Sequence, residues 1–134
     1  MKTEVGQNDF VTFYMLPQTN IIEAAWKEST QKMKDDDFKS SIKLLWKLIA
    51  ENKPIGLLAD TRLFFYAIPP QVQEWYGANI TEGLGSTTKK VAMLLSSEFF
   101  SQISIEQTIQ EDNRTGFSTQ YFDDAEKAIE WLKS

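Results

Sequence analysis

The sequence predicts a single α/β domain spanning residues 1–134, with a mostly parallel five-stranded sheet behind an N-terminal β-hairpin, in the order ββαβαβαβα. Short continuous apolar runs alternate with segments whose apolar residues recur at helical spacing, which is the mark of α/β architecture. The connections between them are short and favour right-handed crossovers. No repeat, linker or low-complexity stretch interrupts the 134 residues, a length that buries roughly two-thirds of the unfolded chain's surface in one core.

Val11 to Leu16 reads as a strand stopped by Pro17, and Asn20 to Trp26 as its partner after a Pro-Gln-Thr-Asn turn, giving an antiparallel hairpin. Asp35, Asp36 and Asp37 then stand where a helix N-terminus is electropositive, ahead of Phe38, Ile42, Leu45 and Ile49, with Trp46 and Leu48 widening the stripe. Capping is a better account of this triple aspartate than a metal site. Asn52 and Pro54 stop the helix. Ile55 to Ala59 is a buried strand ending at Asp60, and after Thr61 to Ile68 the pair Pro69-Pro70 opens a helix carrying Val72, Trp75, Tyr76 and Ile80. Gly83 and Gly85 end it, and Val91 to Leu95 follows as a buried strand. Ser104 and Gln107 fit a capping box for a short helix with Ile105 and Ile109. Gly116 introduces a strand from Phe117 to Phe122. Asp123 and Glu126 then start a final helix in which Ala125, Ala128, Ile129 and Leu132 share one face.

The chain contains no His and no Cys. This excludes a Ser-His-Asp triad, a Cys nucleophile and the usual zinc, haem-iron and iron–sulfur ligand sets, and leaves any catalysis to Asp, Glu, Lys, Tyr, Ser or Thr; no catalytic residue or metal ligand is nominated. Asp60, Arg62 and Ser96 are the polar residues near strand ends, and none is nominated as catalytic. A formal charge of −5 works against nucleic-acid binding, which depends on neutralising phosphates. The opening MKTEVGQNDF lacks an apolar signal core, and no stretch approaches the roughly 18 apolar residues of a membrane span. A cytoplasmic location without an integral membrane segment is the expectation.

Gly83-Leu84-Gly85-Ser86 has the composition of a phosphate loop but runs from helix to strand, the reverse of what phosphate binding at a helix N-terminus requires. A magnesium-dependent receiver would need converging carboxylates. Asp60, Asp123 and Asp124 follow strands, but the second strand leaves through Ala24-Ala25-Trp26-Lys27 without an acidic pair. Asp123 and Asp124 fit better as helix caps.

The segment Asp60-Thr61-Arg62-Leu63-Phe64-Phe65-Tyr66-Ala67-Ile68 lies at a strand's carboxyl end, where ligands and partners approach open α/β sheets. Six apolar or aromatic residues in a row admit two readings. They fold back over the core or extend the strand, or they line an apolar pocket or partner surface. Arg62 either pairs with Asp60 or another carboxylate, holding the loop root, or binds an anion. Trp26, Trp46, Trp75 and Trp131 occupy positions typical of packing residues.

The hairpin ending in Trp26, the strand IGLLADTR, Gln73-Glu74-Trp75, the strand KKVAMLL and the ending QYFDDAEKAIEWL together resemble the SpoIIAA-like, STAS-related proteins, in particular the small stand-alone bacterial type labelled STAS/SEC14-like. The resemblance covers nearly the whole chain. It implies a β/α superhelical sheet with a hairpin edge, no cofactor, and regulation through protein partners, as in the anti-sigma-factor antagonists. Those antagonists carry a phosphorylatable Ser or Thr at the start of the helix after the Asp-ending strand, where phosphate would change partner binding. Here that stretch is Tyr66-Ala67-Ile68-Pro69-Pro70. It holds neither residue, and Thr61 lies at the other end of the loop, so no phosphosite carries over.

The resulting expectation is a non-enzymatic regulatory or interaction module. A protein partner or a second copy would dock on Asp60, Arg62, Phe64, Phe65, Tyr66, Trp75 and Tyr76. The alternative is a small apolar ligand or lipid held by the same aromatics, which requires a cavity beneath the loop.

Overall fold

The computed structural model describes residues 1–101 and 116–134. The short helix expected around Ile105 and Ile109 lies outside the described residues. The elements are β1 (Thr3–Gln7), β2 (Val11–Met15), β3 (Ile21–Trp26), α1 (Asp35–Asn52), β4 (Gly56–Asp60), α2 (Pro70–Leu84), β5 (Lys90–Leu94), β6 (Ser118–Phe122) and α3 (Ala125–Lys133). A single 3-10 turn, Glu28–Lys32, joins β3 to α1.

The expected hairpin is β2 with β3, and the expected parallel strands are β4, β5 and β6. The sheet has six strands among the described residues, not five, in the order β1-β2-β3-β4-β5-β6. The first two pairings are antiparallel and the last three parallel. The additional strand, β1, is polar but for Val5 and slips register between Glu4 and Gly6. A bulged, polar edge strand lacks the alternation by which strands are read from sequence.

The parallel register aligns Ile22 with Leu57 and Ala24 with Ala59, then Leu57 with Val91 and Ala59 with Met93. Because side chains alternate along a strand, these residues share one face. It carries α1 and α2 through Phe38, Ile42, Leu45, Leu48, Ile49, Val72 and Leu84. The opposite face presents Ile21, Leu58, Ala92 and Leu94 to Ala128 and Leu132 of α3. The parallel half of the molecule is thus a three-layer sandwich, as α/β architecture demands of a sheet buried on both sides.

Helix ends follow the sequence closely. At α1 the Asp37 carboxylate reaches back to accept the Lys34 N–H at 3.0 Å, and Lys53 takes the left-handed conformation that ends the helix. Asp124 caps α3, accepting from the N–H groups of Glu126 and Lys127. Asp123 does not, so the start expected at Asp123 moves one residue. Pro69 precedes α2 and Gly85, at φ 72°, ends it.

Gly83 belongs to packing rather than to termination. It lies inside α2, where a Cβ would meet the Trp46 indole at 2.4 Å, so the absent side chain lets α1 and α2 approach. Gly83→Ala is expected to lower stability by about 1–3 kcal/mol despite alanine's better helix propensity. In a denaturant titration the loss should shrink when Trp46→Leu is also present, because the two changes share one contact.

Candidate functional site

Asp60 closes β4, and its carboxylate receives the Arg62 Nε at 3.0 Å, Nη2 at 2.8 Å and backbone N–H at 3.2 Å. The loop root is therefore a bidentate pair, and that bond holds the Arg62 guanidinium above its usual pKa. Thr61 donates its N–H and hydroxyl to the Leu94 carbonyl, both at 2.9 Å, tying the exits of β4 and β5 together.

Beyond this root the apolar run divides into two rows. Phe64, Tyr66 and Ile68 turn inward and pack on the core, while Leu63, at 48% exposure, and Phe65, at 50%, face solvent. The run is neither wholly core nor wholly surface. The division is enforced by Thr30, a fully buried residue of the turn before α1. Its hydroxyl lies 2.8 Å from the Lys27 carbonyl and 3.0 Å from the Leu63 carbonyl, and accepts the Phe65 N–H at 2.8 Å. Holding Leu63 and Phe65 by the backbone fixes the row their side chains occupy.

The inward row completes an aromatic cluster. Phe64 meets Trp26 edge-on at 4.9 Å, and Tyr66 stacks on Phe38 at 5.3 Å. The Tyr66 hydroxyl donates to Asp35 Oδ1, so one of the three helix-start aspartates also latches the loop. Tyr66 is pushed up to about 12 by lost solvation and by the Asp35 bond and charge.

Beneath this row lies a cavity of about 260 Å³. Its floor includes Ala24 and Ala59, register partners on neighbouring strands. Phe38 and Ile42 of α1 and Tyr76 of α2 form walls, with Phe64 and Ile68 above. The space exists because two alanines stand side by side where larger residues would reach the helices. No charged residue lines it; its hydroxyl-bearing residues are Thr61 and Tyr76, and the Thr61 hydroxyl is already bonded to the Leu94 carbonyl. Burial pushes the Tyr76 hydroxyl up to about 12, with Tyr121 adding to the rise.

A family model described as SpoIIAA-like matches residues 22–133. The chain belongs to the SpoIIAA-like family. The match runs from β3 to α3 and so includes every element that lines the cavity. No curated protein and no solved structure matches the chain. At the start of α2, where the resemblance to the antagonists would place a phosphorylatable residue, this SpoIIAA-like chain has Pro69 as its cap.

The seven residues expected to form one surface are thus distributed. Asp60 and Arg62 are the loop root, Phe65 is exposed, Phe64 and Tyr66 face inward, Tyr76 lines the cavity, and Trp75 is half-buried with its ring 5.4 Å from that of Trp46. Ala24, Ala59 and Thr30 are the contributors that sequence reasoning missed. Two alanines in a strand carry no chemical signal until the register places them together. Among the described residues no group of His, Cys, Asp or Glu could hold a metal, and no helix is long and apolar enough to cross a membrane.

Absorbance titration should reveal two of the four tyrosines ionising near 12, one removed by Tyr66→Phe and the other by Tyr76→Phe. Folded values above the ordinary 10 stabilise the protein fully below about pH 10, and this contribution is lost as pH rises through about 12. Denaturation midpoints at pH 9 and 11.5 should therefore diverge, and by less in either variant.

Proposed function

We propose that this SpoIIAA-like chain is a non-enzymatic binding module that takes a small, neutral, apolar molecule in the cavity under the 61–68 segment. The cavity carries this reading. An apolar cavity of about 150 Å³ admits benzene, so about 260 Å³ accommodates roughly ten carbon atoms by the same measure. A ligand with a buried charge is disfavoured, since the lining offers no counter-charge and an unpaired ion in an apolar site is costly. A molecule that binds the folded chain there raises its stability by mass action.

Geraniol and 1-decanol should raise the melting temperature by several degrees, with decanoate weaker because its carboxylate finds no partner. Ala59→Leu, which fills the floor, should abolish the shifts while leaving a cooperative melt. Flat melts of the wild-type protein across all three compounds refute the reading.

The outward row and the family support a second reading, a protein-interaction or regulatory module. Leu63 and Phe65 stand exposed on a pinned backbone at the carboxyl end of the sheet, where a rigid apolar pair loses little entropy on docking. If the occupant is a second copy, sedimentation should show concentration-dependent association that Leu63→Ser with Phe65→Ser removes. Phe64→Ser, by contrast, should destabilise the fold by about 2–3 kcal/mol, since its half-buried ring packs against Trp26 and the core.

A further inference from the structure

Lys39, Lys43 and Lys47 recur every four residues along α1, and from Lys39 to Ala50 the sequence contains no Asp or Glu. In a chain of net charge −5 this is a concentrated reversal of sign. At 1.5 Å of rise per residue the ammonium groups are rooted about 6 Å apart over about 12 Å. The ion pairs found among the described residues are Lys2–Glu23 and Arg62–Asp60. The three lysines belong to neither. Lys39 lies over the Trp75 ring, 5.6 Å from its centroid.

Beside the stripe runs a furrow of about 440 Å³ between α1 and α2, lined by Lys43, Trp46, Lys47 and Ala50 on one bank and by Asn79, Glu82 and Gly83 on the other. Gly83 shapes this furrow, because its lack of a side chain lets the Trp46 indole pack directly against the α2 backbone at the furrow's edge. Trp46 and Trp75 are both half-buried, which suits tryptophan as an anchor at an interface.

We infer that the α1–α2 furrow docks an acidic segment of a protein partner, with carboxylates spaced to meet Lys39, Lys43 and Lys47 and an apolar side chain set against Trp46. Carboxylates four residues apart on a helix repeat at the same ~6 Å as the lysines. The positive zone is too short for a nucleic-acid duplex, whose affinity comes from several phosphate contacts. Asp35, Asp36 and Asp37 before it and Glu51 after it would also meet a broad anionic membrane surface unfavourably. A single acidic chain can follow the lysine bank of the furrow, away from Glu82 on the other bank. The furrow's lining shares no residue with the cavity or the 61–68 loop, so the inference does not require the proposed ligand.

The test uses the full chain, labelled with 15N, and a 15-residue helical peptide carrying Glu at three positions four apart with Leu on the adjoining stripe. Its isosteric Gln counterpart is the control. Saturable shifts should map to residues 39–50 and 75–83, weaken at least fivefold between 50 and 500 mM salt, and fall at least tenfold in affinity in Lys43→Glu/Lys47→Glu. The Gln peptide should bind at least tenfold more weakly. Both lysines are exposed, and an unchanged melt of the double variant confirms that the fold is intact. Absence of saturable shifts, shifts centred elsewhere, or equal binding of the two peptides overturns the inference. So does tighter binding to a 12-nucleotide single strand or to phosphatidylserine vesicles than to the acidic peptide. A positive peptide result with flat geraniol and decanol melts would keep the furrow and discard the cavity ligand.

Discussion

The parallel register of β3, β4 and β5 is the constraint on which the rest of the structure depends. A slip of one residue would exchange the two faces of a strand. Ile22, Leu57 and Val91 would then leave the α1 and α2 layer, and Leu58 would leave Leu132. With both faces apolar, hydrophobicity alone distinguishes the registers poorly. Side-chain size is therefore informative: the α1 and α2 face carries large residues near the amino ends of the strands and the Ala24–Ala59 pair further along, and the cavity sits over that pair.

What was legible in the sequence follows from this geometry. Strands β3, β4 and β5 announced themselves because their buried residues form short apolar runs, β2 and β6 because Pro17 and Gly116 bound them, and α1 and α3 because their apolar residues keep helical spacing beside aspartates. The extra strand β1 was not legible, since it is held by backbone pairing to β2 rather than by an apolar face of its own. The Asp60–Arg62 pair was legible because two residues of separation let the guanidinium return to the carboxylate with the loop backbone. The split of the Leu63 to Ile68 run was not. It depends on Thr30, more than thirty residues away, and nothing in the composition of an apolar run says which of its members will face outward.

The same long-range control explains why the loop can roof a cavity without collapsing into it. Its root is fixed by Asp60 and Thr61, its centre by Thr30, its inward tyrosine by Asp35, and its exit by the hydrogen bond of Gln73 Nε2 to the Ile68 carbonyl at 2.9 Å. A hydrophobic segment with free backbone would settle onto the two alanines and close the space. With its polar groups bonded to four other elements, movement inward would break hydrogen bonds that buried groups must keep. The cavity is therefore maintained by polar anchoring around an apolar void.

Tyr76 joins this region to the furrow further along α2. Its ring lines the cavity and also lies 27° from the plane of Trp46, with centroids 6.4 Å apart, and Trp46 in turn lines the lysine furrow. Occupants of the two sites would therefore press on the same pair of stacked rings from different sides. If each favours one position of α2, the free energy by which the first alters the second's affinity equals that by which the second alters the first's. Gly83, by letting α1 and α2 touch through Trp46, is what brings the two sites close enough for such coupling to need no larger rearrangement than a shift of one helix.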